Sequence, residues 1–259
     1  MHIRRALPLL GAIATLPGMA GAAPARSLAV AVAANMRPAF EEIARRFEAA
    51  RPGVEVNATF GASGNFFAQI GNGAPFDLFL SADAEFPAKV AEKGLADGKP
   101  FPYAYGKLVV WLPKDSKLSL ETKGLAALDD PSVQKIAIAN PEVAPYGRAA
   151  RSALEKAGLY EALRSRIVMG ENVSQTAQFV ESGNAQAGFI PLSLAKTPPL
   201  SEEGRAWPVP ASSYDRIVQA GVVVKGSREL ALARELAAFI ASAATRDVFL
   251  RYGYEIPGS

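Results

Sequence analysis

The 259-residue sequence contains no cysteine, and its single histidine is His2. The first absence excludes disulfide bonds and thiolate metal sites. The second removes imidazole, the commonest general base and a common zinc ligand, from everything after residue 2. Composition alone therefore makes hydrolases and metalloenzymes poor candidates.

The sequence also has no cluster of residues that carry the same charge. Lys and Arg together number 28 and Asp and Glu 25, and two of the arginines, Arg4 and Arg5, stand near the N-terminus. No basic run or Arg/Lys stripe stands out, so nucleic acid is not expected as a partner.

The N-terminal segment has the features of an export signal. Arg4 and Arg5 precede the apolar run 6–20, and Ala22 and Ala23 offer small residues for cleavage. This pattern predicts a cleavable signal peptide over residues 1–23. No later stretch approaches the roughly 18 uninterrupted apolar residues of a membrane-spanning helix.

Beyond the signal, short β-prone runs alternate with amphipathic helical stretches. The β-prone runs cover 28–33, 54–60, 76–80, 107–112, 136–139, 167–169, 187–190 and 217–224. The alternation predicts an α/β fold of mixed, mostly parallel sheets with helices on both faces. The proline-rich segment 191–211 is expected to be mostly loop.

The order of these runs predicts two lobes. The strands before residue 106 need the C-terminal helix to complete their sheet, whereas the segment from 107 to about 220 has its own alternation. We therefore predict one lobe from 24–106 plus 221–259 and a second from 107–220. Two crossings, near Gly106 and near 218–221, would act as the hinge, with a ligand cleft between the lobes.

Four loops run from the end of a strand to the start of a helix, at 34–35, 62–63, 145–146 and 172–173. Asn35 and Ser63 are predicted N-caps, and the two prolines at 141 and 145 are expected to delay the third helix until about Gly147. Each loop would place backbone N–H groups or a neutral side chain at a helix N-terminus, where anions bind well. The plainer alternative is four ordinary loops of an α/β protein.

The chemistry of these loop tips favours a fully ionised oxyanion. None carries Lys, Arg, Asp or Glu, and phosphate, which usually keeps a proton, would need an acceptor such as a carboxylate. Glu171 lies one residue from a tip and is expected to be exposed or to cap a helix. Sulfate is also a proton-free dianion, so this chemistry does not exclude it.

Two further groups of side chains could suggest a metal site. Asp77 and Asp83 flank an apolar strand and are interpreted as a loop or cap partner and a helix-start residue rather than as metal ligands. A ferric site would require converging tyrosines and carboxylates. The candidate tyrosines are interpreted as packing residues that do not converge on the four loops: Tyr103, Tyr105, Tyr252 and Tyr254.

Six motifs after the signal carry a family resemblance: AVAANM (31–36), FGASGNFFAQIGNGAPFDLFLSAD (60–83), YGKLVVW (105–111), IANPEVAPYG (138–147), ENVSQT (171–176) and RYGY (251–254). With these motifs, nearly the whole chain after the signal resembles the periplasmic molybdate-binding proteins that serve ABC transporters. The resemblance implies a two-lobed type II periplasmic binding protein fold. It also implies a monomer in the periplasm that has no cofactor, binds molybdate or tungstate, and works with an inner-membrane ABC permease.

The same resemblance assigns oxyanion contacts within the four loops. They fall on Ala34 (backbone), Asn35 (amide), Ser63 (hydroxyl and N–H), Tyr146 and Val173 (backbone). Some family members have a ligand-binding tyrosine where this chain has Pro191-Leu192, so the coordination geometry is expected to differ there.

Three alternatives stay open at this point. The cleft could bind another oxyanion, such as sulfate or thiosulfate, or it could bind ferric iron. The third is a hydrolase with Ser63 as nucleophile, although Gly61-Ala62-Ser63-Gly64-Asn65 does not fit the G-x-S-x-G pattern and no histidine is available to activate the hydroxyl.

Overall fold

The computed structural model describes residues 26–258. The predicted signal peptide, 1–23, lies outside the described residues. The described chain forms ten strands: β1 (Arg26–Ala33), β2 (Val54–Gly61), β3 (Leu78–Ser81), β4 (Ala96–Gly106), β5 (Leu108–Pro113), β6 (Ile136–Ala139), β7 (Ile167–Gly170), β8 (Ala187–Pro191), β9 (Gly204–Pro208) and β10 (Ile217–Val224).

The α-helices of the described chain lie mostly between these strands. They are α1 (Arg37–Ala49), α2 (Ser63–Gly71), α3 (Glu85–Glu92), α4 (Leu120–Lys123), α5 (Pro145–Lys156), α6 (Tyr160–Leu163), α7 (Val173–Glu181), α8 (Leu192–Ala195), α9 (Leu200–Glu203), α10 (Leu230–Ile240) and α11 (Arg246–Arg251). None of the helices within 26–258 is long and apolar enough to cross a membrane.

The strands form two sheets of five, in the orders β2-β1-β3-β10-β4 and β7-β6-β8-β5-β9. In the first sheet β1 is parallel to β2 and β3, and β10 is antiparallel to both its neighbours. In the second, β6 is parallel to β7 and β8, and β5 is antiparallel to β8 and β9. The predicted class, two lobes of mixed sheets flanked by helices, is confirmed. The sheets are not mostly parallel as predicted, because β10 and β5 each run antiparallel to both neighbours and give each sheet two antiparallel pairs beside two parallel ones.

Each sheet is covered by amphipathic helices. On α1 the buried residues Phe40, Ile43 and Phe47 recur every three or four positions and face the core of the first lobe. Burying one such phenylalanine contributes about 1.5–3 kcal/mol to stability. The second sheet has a core of its own, centred on β5, β6 and β8.

The chain crosses between the lobes at Lys107, between β4 and β5, and at residues 209–216, between β9 and β10. The division predicted at 220–221 stays a prediction, but it falls inside β10, which pairs with the first sheet along its length.

Sequence analysis did not predict two of the strands, and both are edge strands that contain proline. β4 contains Pro100 and Pro102, and β9 ends at Pro208 in the segment 191–211 that was expected to be mostly loop. The same segment also contains α8 and α9. Proline is tolerated at a sheet edge because its missing N–H costs no ladder hydrogen bond there, so the proline-based loop prediction was wrong.

Candidate ligand-binding site

The carboxyl ends of the parallel strands in the two sheets face each other across a small, nearly closed cavity of about 10 Å³. Strand ends and helix starts supply its walls: Ala33, Ala34, Asn35, Gly61, Ala62, Ser63, Ala82, Ala144, Pro145, Tyr146, Asn172 and Val173. All five residues that sequence analysis assigned to the ligand are in this wall. No charged side chain belongs to it, and its volume is below the roughly 300–1,000 Å³ of pockets for drug-sized ligands.

Ser63 is the first residue of α2 rather than its predicted N-cap, which is Ala62. Its buried hydroxyl oxygen accepts a hydrogen bond of 3.0 Å from the backbone N–H of Ala82. The hydroxyl is therefore held in place from one side while its proton stays available for donation. The prediction of a cap was wrong because Ser63 bonds to the next strand end and not to its own helix.

Asn35 also differs from its predicted role as an N-cap. It lies in a short 3₁₀ helix, Ala34–Met36, that precedes α1 and has Ala33 as its N-cap. The buried amide nitrogen of Asn35 donates to Gln219 Oε1 at 2.9 Å and to the Tyr254 hydroxyl at 3.0 Å. Its backbone carbonyl accepts from the hydroxyls of Tyr254 and Ser193. These contacts tie the loop to β10, to α8 and to the segment that follows α11.

In the second lobe, α5 begins at Pro145 and not near Gly147 as predicted. Proline suits the first helical position because the N–H it lacks would have no partner there, so Pro145 starts the helix rather than delaying it. Gly147 N–H donates to the carbonyl of Ala144. Tyr146 therefore supplies the first-turn N–H that has no partner within the helix.

Helix α7 likewise has one backbone N–H at its start that no group within the helix accepts. Its N-cap, Asn172, accepts with its side chain from the N–H groups of Ser174 and Gln175, at 2.9 and 3.1 Å. Thr176 N–H donates to the Asn172 carbonyl. Val173 N–H is left over at the start of the helix, where the dipole favours an anion.

Direct contacts between the lobes hold the cavity closed. Gly64 N–H donates to the Val143 carbonyl at 2.8 Å, and the Asn65 amide donates to Glu171 at 3.2 Å. Near the mouth, Arg148 of α5 pairs with Asp83 of the first lobe. The exposed Glu171 thus joins the closure contacts instead of facing the cavity.

A family model described as bacterial extracellular solute-binding protein matches residues 28–255. The chain belongs to this family. It is 38% identical to the molybdate-binding protein ModA of Rhodobacter capsulatus, over 94% of each chain. It is 39% identical to ModA of Azotobacter vinelandii, over 91% of this chain and 92% of that one.

Solved structures place this solute-binding protein in the same fold. The periplasmic molybdate-binding protein of Azotobacter vinelandii superimposes with a TM-score of 0.82 at 35% identity, covering 89% of this chain and 99% of that one. The sulfate-binding protein SubI of Mycobacterium tuberculosis has a TM-score of 0.74 at 14% identity, covering 90% and 88%, and so shares the fold alone. The resemblance drawn from the sequence motifs is confirmed.

Two tyrosines of the solute-binding protein join the loops, contrary to expectation. The Tyr254 hydroxyl bonds to Asn35, and the Tyr103 hydroxyl donates to the Ser81 carbonyl at 2.7 Å and lies 3.2 Å from Gln219 Oε1. Burial away from water raises the pKa of Tyr254 to about 12 and that of Tyr103 well above its ordinary value. Both hydroxyls therefore keep their protons at neutral pH.

Two polar residues at the site were missed in the sequence. Gln219 is fully buried and links Asn35 of the first lobe to Tyr146 of the second. Ser193 of α8 reaches the Asn35 carbonyl at 2.8 Å. A lone amide within an apolar strand, as at Gln219, is a signal that could have been found, because a buried polar group needs a partner.

The two aspartates of the solute-binding protein have structural roles. Asp77 accepts from Ala29 N–H at 2.7 Å and from the Ser227 hydroxyl at 2.6 Å. Asp83 accepts from Phe86 N–H at the start of α3 at 3.1 Å. Within residues 26–258 no group of three or more His, Cys, Asp or Glu residues could hold a metal ion.

Proposed function

We propose that this solute-binding protein captures molybdate, and also tungstate, between its two lobes and delivers the anion to an ABC transporter permease. The observation that supports this most directly is the cavity wall, which combines neutral donors with no carboxylate. The names of the relatives, aligned over nine-tenths or more of this chain, support the same ligand.

The proposed donors are the hydroxyl and N–H of Ser63, the Asn35 amide, and the backbone N–H groups of Ala34, Tyr146 and Val173. Fixed N–H and O–H dipoles stabilise an anion without a counter-ion, because they are already oriented and water is excluded. Molybdate carries two charges and no proton at neutral pH. It therefore needs donors only, and a cavity without a carboxylate offers nothing to the proton of phosphate.

The arrangement is suited to binding without a chemical step. A serine nucleophile needs a base that takes its proton, whereas the partner of the Ser63 hydroxyl oxygen is the N–H of Ala82, which is itself a donor. We propose no catalysis and no resident cofactor, since the oxyanion is cargo.

Membership in an extracellular solute-binding family places the protein outside the cytoplasm. The finer assignments are proposals: export by the signal peptide at 1–23, a periplasmic location, a monomeric state, and a permease in the inner membrane. They follow from the N-terminal pattern and from the relatives' names.

The test is thermal unfolding of residues 24–259 with molybdate, tungstate, sulfate or phosphate. A ligand present at about 100 times its dissociation constant adds roughly 2.7 kcal/mol to the free energy of unfolding, which raises the Tm by several degrees. We expect this shift with molybdate and tungstate only. A shift with sulfate alone would keep the site and overturn its ligand, and no shift with any anion would overturn both.

The matched control is Ser63→Ala, which removes one donor and leaves the cavity wall apolar. Losing a hydrogen bond to a charged ligand costs about 1.5–3 kcal/mol, or roughly 10- to 100-fold in affinity. The molybdate shift should shrink accordingly. The Tm without ligand should also fall, because the buried N–H of Ala82 loses its acceptor, so each shift is measured from the Tm of the same protein without ligand. An unchanged shift would remove Ser63 from the site.

A further inference from the structure

One buried polar atom at the cavity has no hydrogen-bond partner. Within residues 26–258, Asn35 Oδ1 is the one buried side-chain nitrogen or oxygen in this state. Asn35 is 1% exposed and lines the cavity. A carbonyl oxygen is the wrong group to meet a proton-free oxyanion, because neither has a hydrogen to share.

The neighbouring Tyr146 hydroxyl has the converse problem. Among the described residues it makes one hydrogen bond, in which it accepts from Gln219 Nε2 at 3.0 Å. Its own proton therefore has no acceptor in this arrangement. Burial raises the pKa of Tyr146 well above its ordinary value, so the proton is retained.

Rotating both side-chain amides by 180° gives Asn35 Oδ1 a donor and the Tyr146 hydroxyl an acceptor. The nitrogen and oxygen of each amide only exchange positions. Gln219 then offers Oε1 to the Tyr146 hydroxyl and Nε2 to Asn35 Oδ1, across the same separations of 3.0 and 2.9 Å. Its second N–H faces the Tyr103 hydroxyl, 3.2 Å from that amide position.

In the turned arrangement the two tyrosines of the first lobe also keep partners. Tyr103 continues to donate to the Ser81 carbonyl. Tyr254 donates to Asn35 Oδ1, while Ser193 still satisfies the Asn35 backbone carbonyl. The amide nitrogen of Asn35 now occupies the position that has no protein partner and donates to the cavity.

We propose that Gln219 is a positioning residue that selects for proton-free oxyanions by setting which atom of the Asn35 amide faces the ligand. The two amides turn together, because facing oxygens or facing N–H groups repel each other. With molybdate bound, Asn35 presents its N–H₂ group. The alternative orientation presents an acceptor, which suits an anion that carries a proton. This inference rests on the proposed function.

The decisive variant is Gln219→Glu. A glutamate has two acceptor oxygens, so the Asn35 amide nitrogen must turn toward it and Asn35 Oδ1 must face the ligand. We expect molybdate affinity to fall roughly 10- to 100-fold, the loss of a hydrogen bond to a charged ligand. The ratio of molybdate affinity to phosphate affinity should fall by at least about tenfold. Both are measured by calorimetry.

The added charge could also repel molybdate directly, and a double-mutant cycle with Asn35→Ala separates the two effects. If Gln219→Glu acts through the Asn35 amide, it should cost much less in the Asn35→Ala background. Equal costs in both backgrounds would mean that charge alone is responsible and would overturn the proposal.

The matched control is Ser193→Ala, which removes a hydroxyl from the Asn35 backbone carbonyl and leaves the amide pair intact. It should leave the ratio of molybdate to phosphate affinity within about twofold of the wild type, since no donor to the ligand turns. A fall in the ratio as large as that caused by Gln219→Glu would overturn the proposal.

If Gln219→Glu does not fold, Gln219→Met removes the coupling without adding charge and should also lower the ratio. An unchanged ratio in a folded Gln219 variant would overturn the proposal while molybdate binding by the wild type upheld the proposed function. Failure of the wild type to bind molybdate would instead overturn the function on which the proposal rests.

Discussion

The two lobes line the same cavity with different kinds of group. Besides the backbone N–H groups of Ala34 and Ser63, the first lobe supplies two side chains, Asn35 and Ser63, each held by a buried hydrogen bond to a neighbouring element. The second lobe supplies backbone N–H groups at the starts of α5 and α7, and the Tyr146 hydroxyl bonds to Gln219 of the first lobe.

This difference implies different tolerance to mutation. A donor that belongs to a side chain is lost by one substitution, whereas a backbone donor survives most substitutions because every residue except proline carries an N–H. The first lobe should therefore be the sensitive side of the cavity, and the second should tolerate changes that leave its helix starts intact.

The largest effect is expected for Asn35→Asp. A carboxylate near a dianion adds repulsion of about 4 kcal/mol per pair of unit charges at 4 Å in a partly polar site, or roughly a thousandfold in affinity. Asn35→Ala should cost less, about 10- to 100-fold. Calorimetry with molybdate measures both.

The control for added charge is Asn57→Asp, an exposed asparagine in β2 outside the cavity wall. It should leave molybdate affinity nearly unchanged. If Asn35→Ala proved more damaging than Asn35→Asp, the assignment of a neutral donor to the first lobe would be wrong.

A pair of substitutions at Val173 tests the second lobe. Val173→Ala keeps the N–H and should change molybdate affinity less than about threefold, whereas Val173→Pro removes it and should cost roughly 10- to 100-fold. Proline is tolerated at the first helical position, and Asn172 has φ −147° and ψ 177°, an extended conformation that can precede proline. Equal affinities for the two variants would mean that the backbone N–H is not a ligand contact.

A smaller loss of molybdate affinity is expected from a substitution at Gly64, where the two lobes contact each other. A Cβ on Gly64 would lie 2.9 Å from Val143 Cα and 3.0 Å from Phe86 Cζ. Gly64→Ala should therefore hinder closure and lower molybdate affinity by about tenfold, on the scale of a modest overpacking cost. Small-angle scattering with saturating molybdate should show a larger radius of gyration than for the wild type.

Gly71→Ala is the matched control on the same helix. Its Cβ would meet Lys93 Nζ alone, at 3.9 Å. This variant should close and bind as the wild type does, and a similar loss of affinity in both variants would contradict the role of Gly64 in closure.

The difference between the lobes also explains what sequence analysis could predict. Loop positions 34–35, 62–63, 145–146 and 172–173 follow from strand–helix alternation and from the family motifs, so all four reach the cavity wall. The caps at Asn35 and Ser63 were assigned by residue type and were wrong, because tertiary partners engage both side chains. Alanines occupy the cap positions instead.

Gln219 could not be placed from local pattern because its importance depends on partners far away in the chain. Asn35 and Tyr146 lie 184 and 73 residues away. Tyr254 was interpreted as packing for the same reason, since it meets Asn35 only when α11 folds against the first sheet. Long-range contacts of this kind are set by the topology, not by spacing.

The smallest effect expected is that of pH on binding between about 6 and 9, because the wall contains no group that titrates there. Above this range, stability should respond to pH through the buried tyrosines. Burial raises the pKa of Tyr254 from 10.0 to about 12, so the folded state holds its proton more tightly than the unfolded state. This contribution is complete below pH 10 and is lost as pH rises toward 12. Chemical denaturation at pH 8 and pH 11 should show a loss that is smaller in Tyr254→Phe. An equal loss in that variant would remove Tyr254 as a cause.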